Sequence, residues 1–155
     1  MTETSEQRPS ARPFDGTELD FWLGRWDCTW EGGRGSNRIE RDFGGKVIHE
    51  HFNAGPDPEG TGALRGESWS VFSPRRSLWR QTWVDDQGSY FDLVGDRVDG
   101  CFAFGRDAPE LGEGGRQRMV FRDITPDAFR WTWEASDDAG ATWTLRWEIG
   151  YRRRS

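Results

Sequence analysis

Residues 25–31, RWDCTWE, alternate between two kinds of side chain. In an extended chain, Trp26, Cys28 and Trp30 share one face, and the polar side chains between them share the other. This period of two is typical of a β-strand with one buried face and one solvated face. It continues through most of the chain after residue 24, where no convincing helical period appears. The sequence therefore predicts an all-β fold.

Turn signals divide the rest of the chain into short extended segments. About ten strands are predicted, at residues 25–31, 36–43, 46–53, 63–72, 78–86, 89–96, 100–106, 116–124, 128–136 and 142–153. A tight hairpin is expected at Gly44–Gly45, and a long loop at residues 54–62. Because no crossover helices intervene, we expect an antiparallel up-and-down β-barrel, in which closure removes the sheet edges. A filled two-sheet sandwich is the alternative.

The length of 155 residues suits one domain. Residues 1–13 are polar and contain prolines, so we expect a disordered tail before a barrel domain at residues 14–155. A short helical turn is predicted between Thr17, as its cap, and Gly24, which ends it.

Charge and hydropathy restrict the partners and the location. The 27 acidic residues exceed the 21 basic ones, so a nucleic-acid partner is not expected. No apolar run approaches the roughly 20 residues of a membrane helix, so no membrane partner is expected. The first residues lack the apolar stretch of a secretion signal, which predicts a cytoplasmic protein.

Several segments resemble lipocalins. In residues 19–26, LDFWLGRW, Gly24 and Trp26 fill the Gly-x-Trp motif that follows a short helical turn in that family. Three further segments resemble a bacterial lipocalin-like family of unknown function: SNRIERDFGGKVIHEHF (36–52), WRQTWVDDQGSYFDL (79–93) and WEASDDAGATWTLRWEIGYRR (133–153). The resemblance spans residues 19–153. It implies a calycin-type barrel, distantly similar to nitrobindin-like barrels.

The resemblance also implies roles for individual residues. The lipocalin motif tryptophan plugs the closed end of the barrel, and an arginine near the end of the last strand covers it. Trp26 would be this plug and Arg152 or Arg153 its cover, since a guanidinium stacks well on an indole. Nitrobindin-like barrels bind haem through a histidine near the C-terminal end. The last part of this chain has no histidine, so neither haem nor another cofactor is expected.

The HEH stretch contains both histidines of the chain, His49 and His51, on either side of Glu50. In a strand the two imidazoles share one face, and Glu50 points to the opposite face. A catalytic zinc site usually needs a third protein ligand, which would have to come from another strand. No metal is therefore expected.

We expect the histidines to face solvent and Glu50 to face the interior. An inward carboxyl group among indoles would have a raised pKa, which suits a general acid or base. The alternative is a buried ion pair between Glu50 and an arginine such as Arg38 or Arg80.

Tryptophans are the candidate walls of a ligand cavity. A glutamine between two indoles, as in Trp79, Gln81 and Trp83, combines flat apolar surfaces with one hydrogen-bonding group. A core stripe, with Gln81 bonded to a neighbouring strand, is equally consistent with this pattern. The predicted ligand-binding residues are Trp30, Glu50, Trp79, Gln81, Trp83 and Trp133. The last strand adds an apolar face that we expect to point inward: Trp143, Leu145, Trp147, Ile149 and Tyr151.

Three functions remain open at this point. The first is binding of a small hydrophobic or aromatic molecule in a Trp-lined cavity. The second is a small barrel enzyme, of cyclase or isomerase type, with Glu50 as the acid–base residue. The third is a barrel filled with side chains that acts as a structural or dimeric scaffold, and a homodimer is an open alternative.

Overall fold

The computed structural model describes residues 12–55 and 63–155. Residues 1–11 of the predicted tail and residues 56–62 of the predicted loop therefore lie outside the described residues. No helix in the described part of the chain is long and apolar enough to cross a membrane.

The described residues form ten strands that close into one antiparallel barrel. Each strand pairs with its neighbours in sequence, and the last strand pairs with the first. The predicted all-β up-and-down barrel is confirmed, and the sandwich alternative is wrong. The strands are β1 (Gly24–Trp30), β2 (Gly33–Asp42), β3 (Val47–Ala54), β4 (Leu64–Ser73), β5 (Leu78–Asp85), β6 (Tyr90–Val98), β7 (Cys101–Asp107), β8 (Arg116–Arg122), β9 (Ala128–Ser136) and β10 (Thr144–Arg153).

The predicted helical turn is a 3₁₀ turn at Asp20–Trp22. Thr17 does not cap it with its side chain, which instead donates a hydrogen bond to Asp15. The carbonyl oxygen of Thr17 accepts the N–H of Asp20 at 3.0 Å. This backbone bond starts the turn without the predicted side-chain cap.

The N-terminal segment seals one end of the barrel, which we call the closed end. Trp26 is fully buried there, and its Nε1 donates to the carbonyl oxygen of Trp22 at 2.8 Å. The guanidinium carbon of Arg153 lies 4.2 Å from the centre of the Trp26 ring. Trp26 therefore occupies the expected plug position, and Arg153 rather than Arg152 covers it. Aromatic rings fill the space above the plug in edge-to-face contacts, including Phe129 at 4.9 Å from Trp26.

The beginning of β10 departs from the predicted alternation. The pairing of β10 with β9 shifts between Leu145 and Trp147, as in a β-bulge. A bulge reverses which residues of a strand face inward on either side of it. As a result Leu145 is 53% exposed, and Trp143 packs under the guanidinium of Arg118 at 3.9 Å. The expectation that these two residues face inward is wrong, whereas Ile149 and Tyr151 are buried as predicted.

A buried ion cluster lies on the outer face of β8 and β9. Glu134 accepts hydrogen bonds from Arg118 Nε at 2.7 Å, Arg122 Nη2 at 2.9 Å and Thr132 Oγ1 at 2.8 Å. Burial acts to raise the pKa of Glu134, but these hydrogen bonds outweigh it and lower the pKa below its usual value. Glu134 is therefore an ionised structural carboxylate.

Candidate functional site

The candidate site is a cavity of about 140 Å³ in the half of the barrel opposite the closed end. Four indoles dominate its wall: Trp83 on β5, Trp131 and Trp133 on β9, and Trp147 on β10. The remaining lining residues are Glu50, Phe52, Leu64, Asp85, Phe91, Met119, Ile149 and Tyr151. The wall is therefore aromatic and aliphatic, with a few polar groups.

Neighbouring aromatic rings hold the cavity wall in place. Trp131 and Trp133 lie nearly parallel, with ring centres 6.4 Å apart, because residues two apart in a strand share a face. Trp147 stands perpendicular to Trp131 at 5.7 Å, and Phe91 lies 5.6 Å from Trp133. Offset and edge-to-face contacts of this kind stabilise each ring by roughly 0.5–1.5 kcal/mol beyond its burial. The wall is thus a set of mutually supported flat surfaces.

Glu50 is the buried acidic group of the cavity, and it is 7% exposed. Its Oε1 accepts a hydrogen bond from Ser68 Oγ at 2.6 Å, and its Oε2 accepts one from Asn37 Nδ2 at 2.7 Å. The same Asn37 amide donates to the hydroxyl oxygen of Tyr151 at 2.9 Å. Side chains from β2, β3, β4 and β10 are therefore linked in the network that fixes the position of this carboxyl group.

Burial raises the pKa of Glu50, and the hydrogen bonds from Ser68 and Asn37 oppose that effect without cancelling it. The alternative of an ion pair with Arg38 or Arg80 is wrong. Arg38 pairs with Glu40, and Arg80 pairs with Asp92. The donors that hold Glu50 in the described part of the chain, Ser68 and Asn37, are thus neutral groups.

The structure brings three of the six predicted ligand-binding residues together. Glu50, Trp83 and Trp133 line the cavity. Trp30 lies behind this wall, with its ring centre 5.3 Å from that of Trp147. Trp79 and Gln81 face inward but lie nearer the closed end. Trp79 donates to Glu18 at 2.8 Å, and Gln81 donates to Ser70 at 2.9 Å.

The predicted ligand-binding set omits several lining residues, Trp131, Trp147 and Phe91 among them. Alternation does identify them as inward-facing. It does not give their height along the barrel axis, which depends on the stagger between strands.

The histidines and Glu50 have the predicted orientations. Glu50 is buried in the interior, whereas the His49 and His51 side chains are on the outer face with 13% and 26% exposure. Their carboxylate neighbours are Glu40, Asp42 and Glu67.

Comparison with protein-family models and with curated proteins finds no match to this chain. The closed antiparallel barrel is consistent with the lipocalin-like fold that the motifs predict.

Proposed function

We propose that this protein binds a small aromatic or hydrophobic molecule in the Trp-lined cavity. The observation that carries the proposal is a buried carboxyl group, Glu50, at the wall of an aromatic cavity, where its hydrogen-bond donors in the described part of the chain are the neutral Asn37 and Ser68. A carboxyl group in such a place costs free energy, which a hydrogen bond from a ligand would reduce. Glu50 therefore gives the cavity its specificity.

The size of the cavity supports a ligand of about one ring. Its volume of about 140 Å³ is close to the ~150 Å³ of an engineered apolar cavity that binds benzene. A barrel completely filled with side chains would lack this space, so the volume favours ligand binding over the filled scaffold. The homodimer remains a prediction.

The polar groups support a ligand that donates a hydrogen bond. Among the described residues, the ionisable carboxyl groups of the wall are Glu50 and Asp85, and none of the described lysines or arginines lines the cavity. Asp85 accepts hydrogen bonds from Trp83 Nε1 and from two backbone N–H groups, and it has a lowered pKa although burial acts to raise it. An alcohol or an amine meets these acceptors favourably, and an anionic ligand is repelled.

Four benzene derivatives test this preference: benzyl alcohol, benzylamine, toluene and benzoate. Each is titrated into ¹⁵N-labelled protein, and the indole N–H resonances are followed by NMR. We expect saturable shifts for the four indoles of the cavity, which are those of Trp83, Trp131, Trp133 and Trp147. The indoles of Trp26 and Trp79, near the closed end, are internal controls and should stay in place. Benzyl alcohol and benzylamine should bind more tightly than toluene, and benzoate should bind most weakly.

The variant Glu50→Gln tests whether this carboxyl group sets the preference. It should bring the affinities of benzyl alcohol and toluene within about threefold of each other, because an amide is a weaker acceptor than a carboxylate. Glu148→Gln, an exposed glutamate on β10, is the matched control and should keep the preference. The absence of a saturable shift for every probe, or an unchanged preference in Glu50→Gln, would refute the proposal.

The enzyme alternative places the same residue at its centre and remains a prediction. Glu50 as the acid–base residue of a cyclase or isomerase requires that Glu50→Gln lose turnover but keep binding. If Glu50→Gln loses binding and folding together, its role is structural.

A further inference from the structure

The outer face of β2, β3 and β4 carries a cluster of metal-ligating side chains. His49 and His51 project from β3, and Glu40 of β2 is paired directly with His49. One ligand atom from each of Glu40, His49 and His51 lies within 4.8 Å of the others. The prediction of no metal rests on the lack of a third ligand near the histidines in sequence. The pairing of β2 with β3 supplies this ligand from a residue nine positions away.

A fourth side chain approaches from the opposite side. Glu67 of β4 is paired with His51, and its Oε1 lies 2.6 Å from His49 Nε2 and 3.5 Å from His51 Nδ1. Two imidazoles thus lie between carboxylates from two neighbouring strands. This set of nitrogen and oxygen atoms resembles the His₂Glu set of catalytic zinc sites, with a further carboxylate within reach.

The ring of His49 is already oriented as it is in many metal sites. Its Nδ1 lies 2.9 Å from Asp42 Oδ2, which leaves Nε2 to face the cluster. A histidine that ligates a metal commonly donates a hydrogen bond from its other ring N–H to a carboxylate, and this bond fixes the tautomer and the ring position. The indole of Trp69 stacks on the same imidazole at 4.6 Å and restricts its rotation.

We propose that Glu40, His49 and His51 bind a divalent transition-metal ion of the zinc class, with Glu67 or a water molecule as the fourth ligand. Imidazole and carboxylate ligands suit Zn²⁺. The ion has a path to the site, since His51 and Glu67 border an open groove of about 640 Å³ on the outside of the barrel. This site is on the opposite side of β3 from the cavity, and the proposal is independent of the proposed function.

The test is isothermal titration of ZnCl₂ into the full chain, prepared without a histidine tag and treated with a chelator. We expect one Zn²⁺ per chain. His51→Ala should weaken the affinity by at least about tenfold, and so should Glu40→Gln, since each removes a ligand. Because the chain has two histidines, any histidine-dependent binding reports on this cluster. Glu148→Gln removes one carboxylate charge, as Glu40→Gln does, but on a different part of the outer face, so it should leave the affinity unchanged.

Circular dichroism and thermal unfolding show whether each metal-free variant is folded. If His51→Ala is not folded, His51→Gln takes its place in the titration. Replacing Zn²⁺ with Co²⁺ adds a spectroscopic readout, in which nitrogen ligation at a four-coordinate site gives visible absorption that the His51 variants lose. Absence of saturable Zn²⁺ binding would overturn the proposal. Equal affinity in the wild type and the folded His51 variants would also overturn it, because the ion would then bind to acidic groups elsewhere.

Discussion

Removal of the Arg153 side chain should open the closed end of the barrel. Its guanidinium donates to the carbonyl oxygens of Leu23 at 2.7 Å, Phe21 at 3.0 Å and Pro126 at 2.9 Å. It also covers the ring of Trp26. For this half-buried group we take ~1 kcal/mol for each hydrogen bond and ~1 kcal/mol for the cation–π contact. Arg153→Ala should therefore lower the free energy of unfolding by about 4 kcal/mol.

Urea unfolding followed by circular dichroism measures this loss, and the melting temperature should fall by about 8–16 °C for a domain of this size. Arg152→Ala is the matched control, because Arg152 is the exposed neighbour in the same strand, and it should change stability by less than about 0.5 kcal/mol. Arg153→Lys should lie between the two, since it keeps the charge but loses the planar fork of donors. If Arg153→Ala were as stable as Arg152→Ala, the plug and its cover would not stabilise the closed end as argued.

Three further predictions concern single side chains. Gly24→Ala should destabilise the barrel by roughly 1–3 kcal/mol in the same urea assay, because φ is +124° and a Cβ would lie 2.5 Å from the covering guanidinium. Gly66→Ala should weaken benzyl alcohol binding by roughly tenfold in the NMR titration, about 1.4 kcal/mol, because the new Cβ would lie 2.1 Å from Trp83 and displace that wall; Gly105→Ala, with ordinary contacts at 3.6 Å, should not. Ionised Glu134 has a lowered pKa, so its stabilisation is present above pH 4.5, the ordinary value, and is lost as the pH falls through its folded-state pKa. Urea midpoints of the wild type and Glu134→Gln should therefore converge on acidification, and a constant difference from pH 6 to pH 3 would contradict this.

The sequence predicts those features of the fold that depend on local alternation and turn chemistry. Trp26 and Cys28 face the interior, and the hairpin at Gly44–Gly45 joins β2 and β3, as expected. The orientation of Glu50 follows from the same alternation, because a shift of one residue would have placed the histidines inside.

The composition of the cavity wall depends on information that no single strand contains. Trp79 and Trp83 have the same inward pattern, but Trp83 lines the cavity and Trp79 packs near the closed end. They are four residues apart on β5, roughly 13 Å along the strand, and the stagger between strands decides at which of these two heights the cavity lies. At Leu145 a bulge interrupts the alternation, and the local sequence carries no Gly or Pro to indicate it. The contact between Glu40 and His51 likewise depends on the register of two strands.

The methionine methyl groups give the most direct test of the proposed binding site. The chain has two methionines, and Met119 lines the cavity whereas Met1 lies outside the described residues. Protein labelled with ¹³C at the methionine methyl groups is titrated with benzyl alcohol and observed by NMR. We expect a saturable shift of the Met119 resonance, with nuclear Overhauser contacts to the ligand ring and the same dissociation constant as the cavity indoles report. A Met119 resonance that stays fixed while benzyl alcohol binds would place the ligand elsewhere and contradict the proposed function.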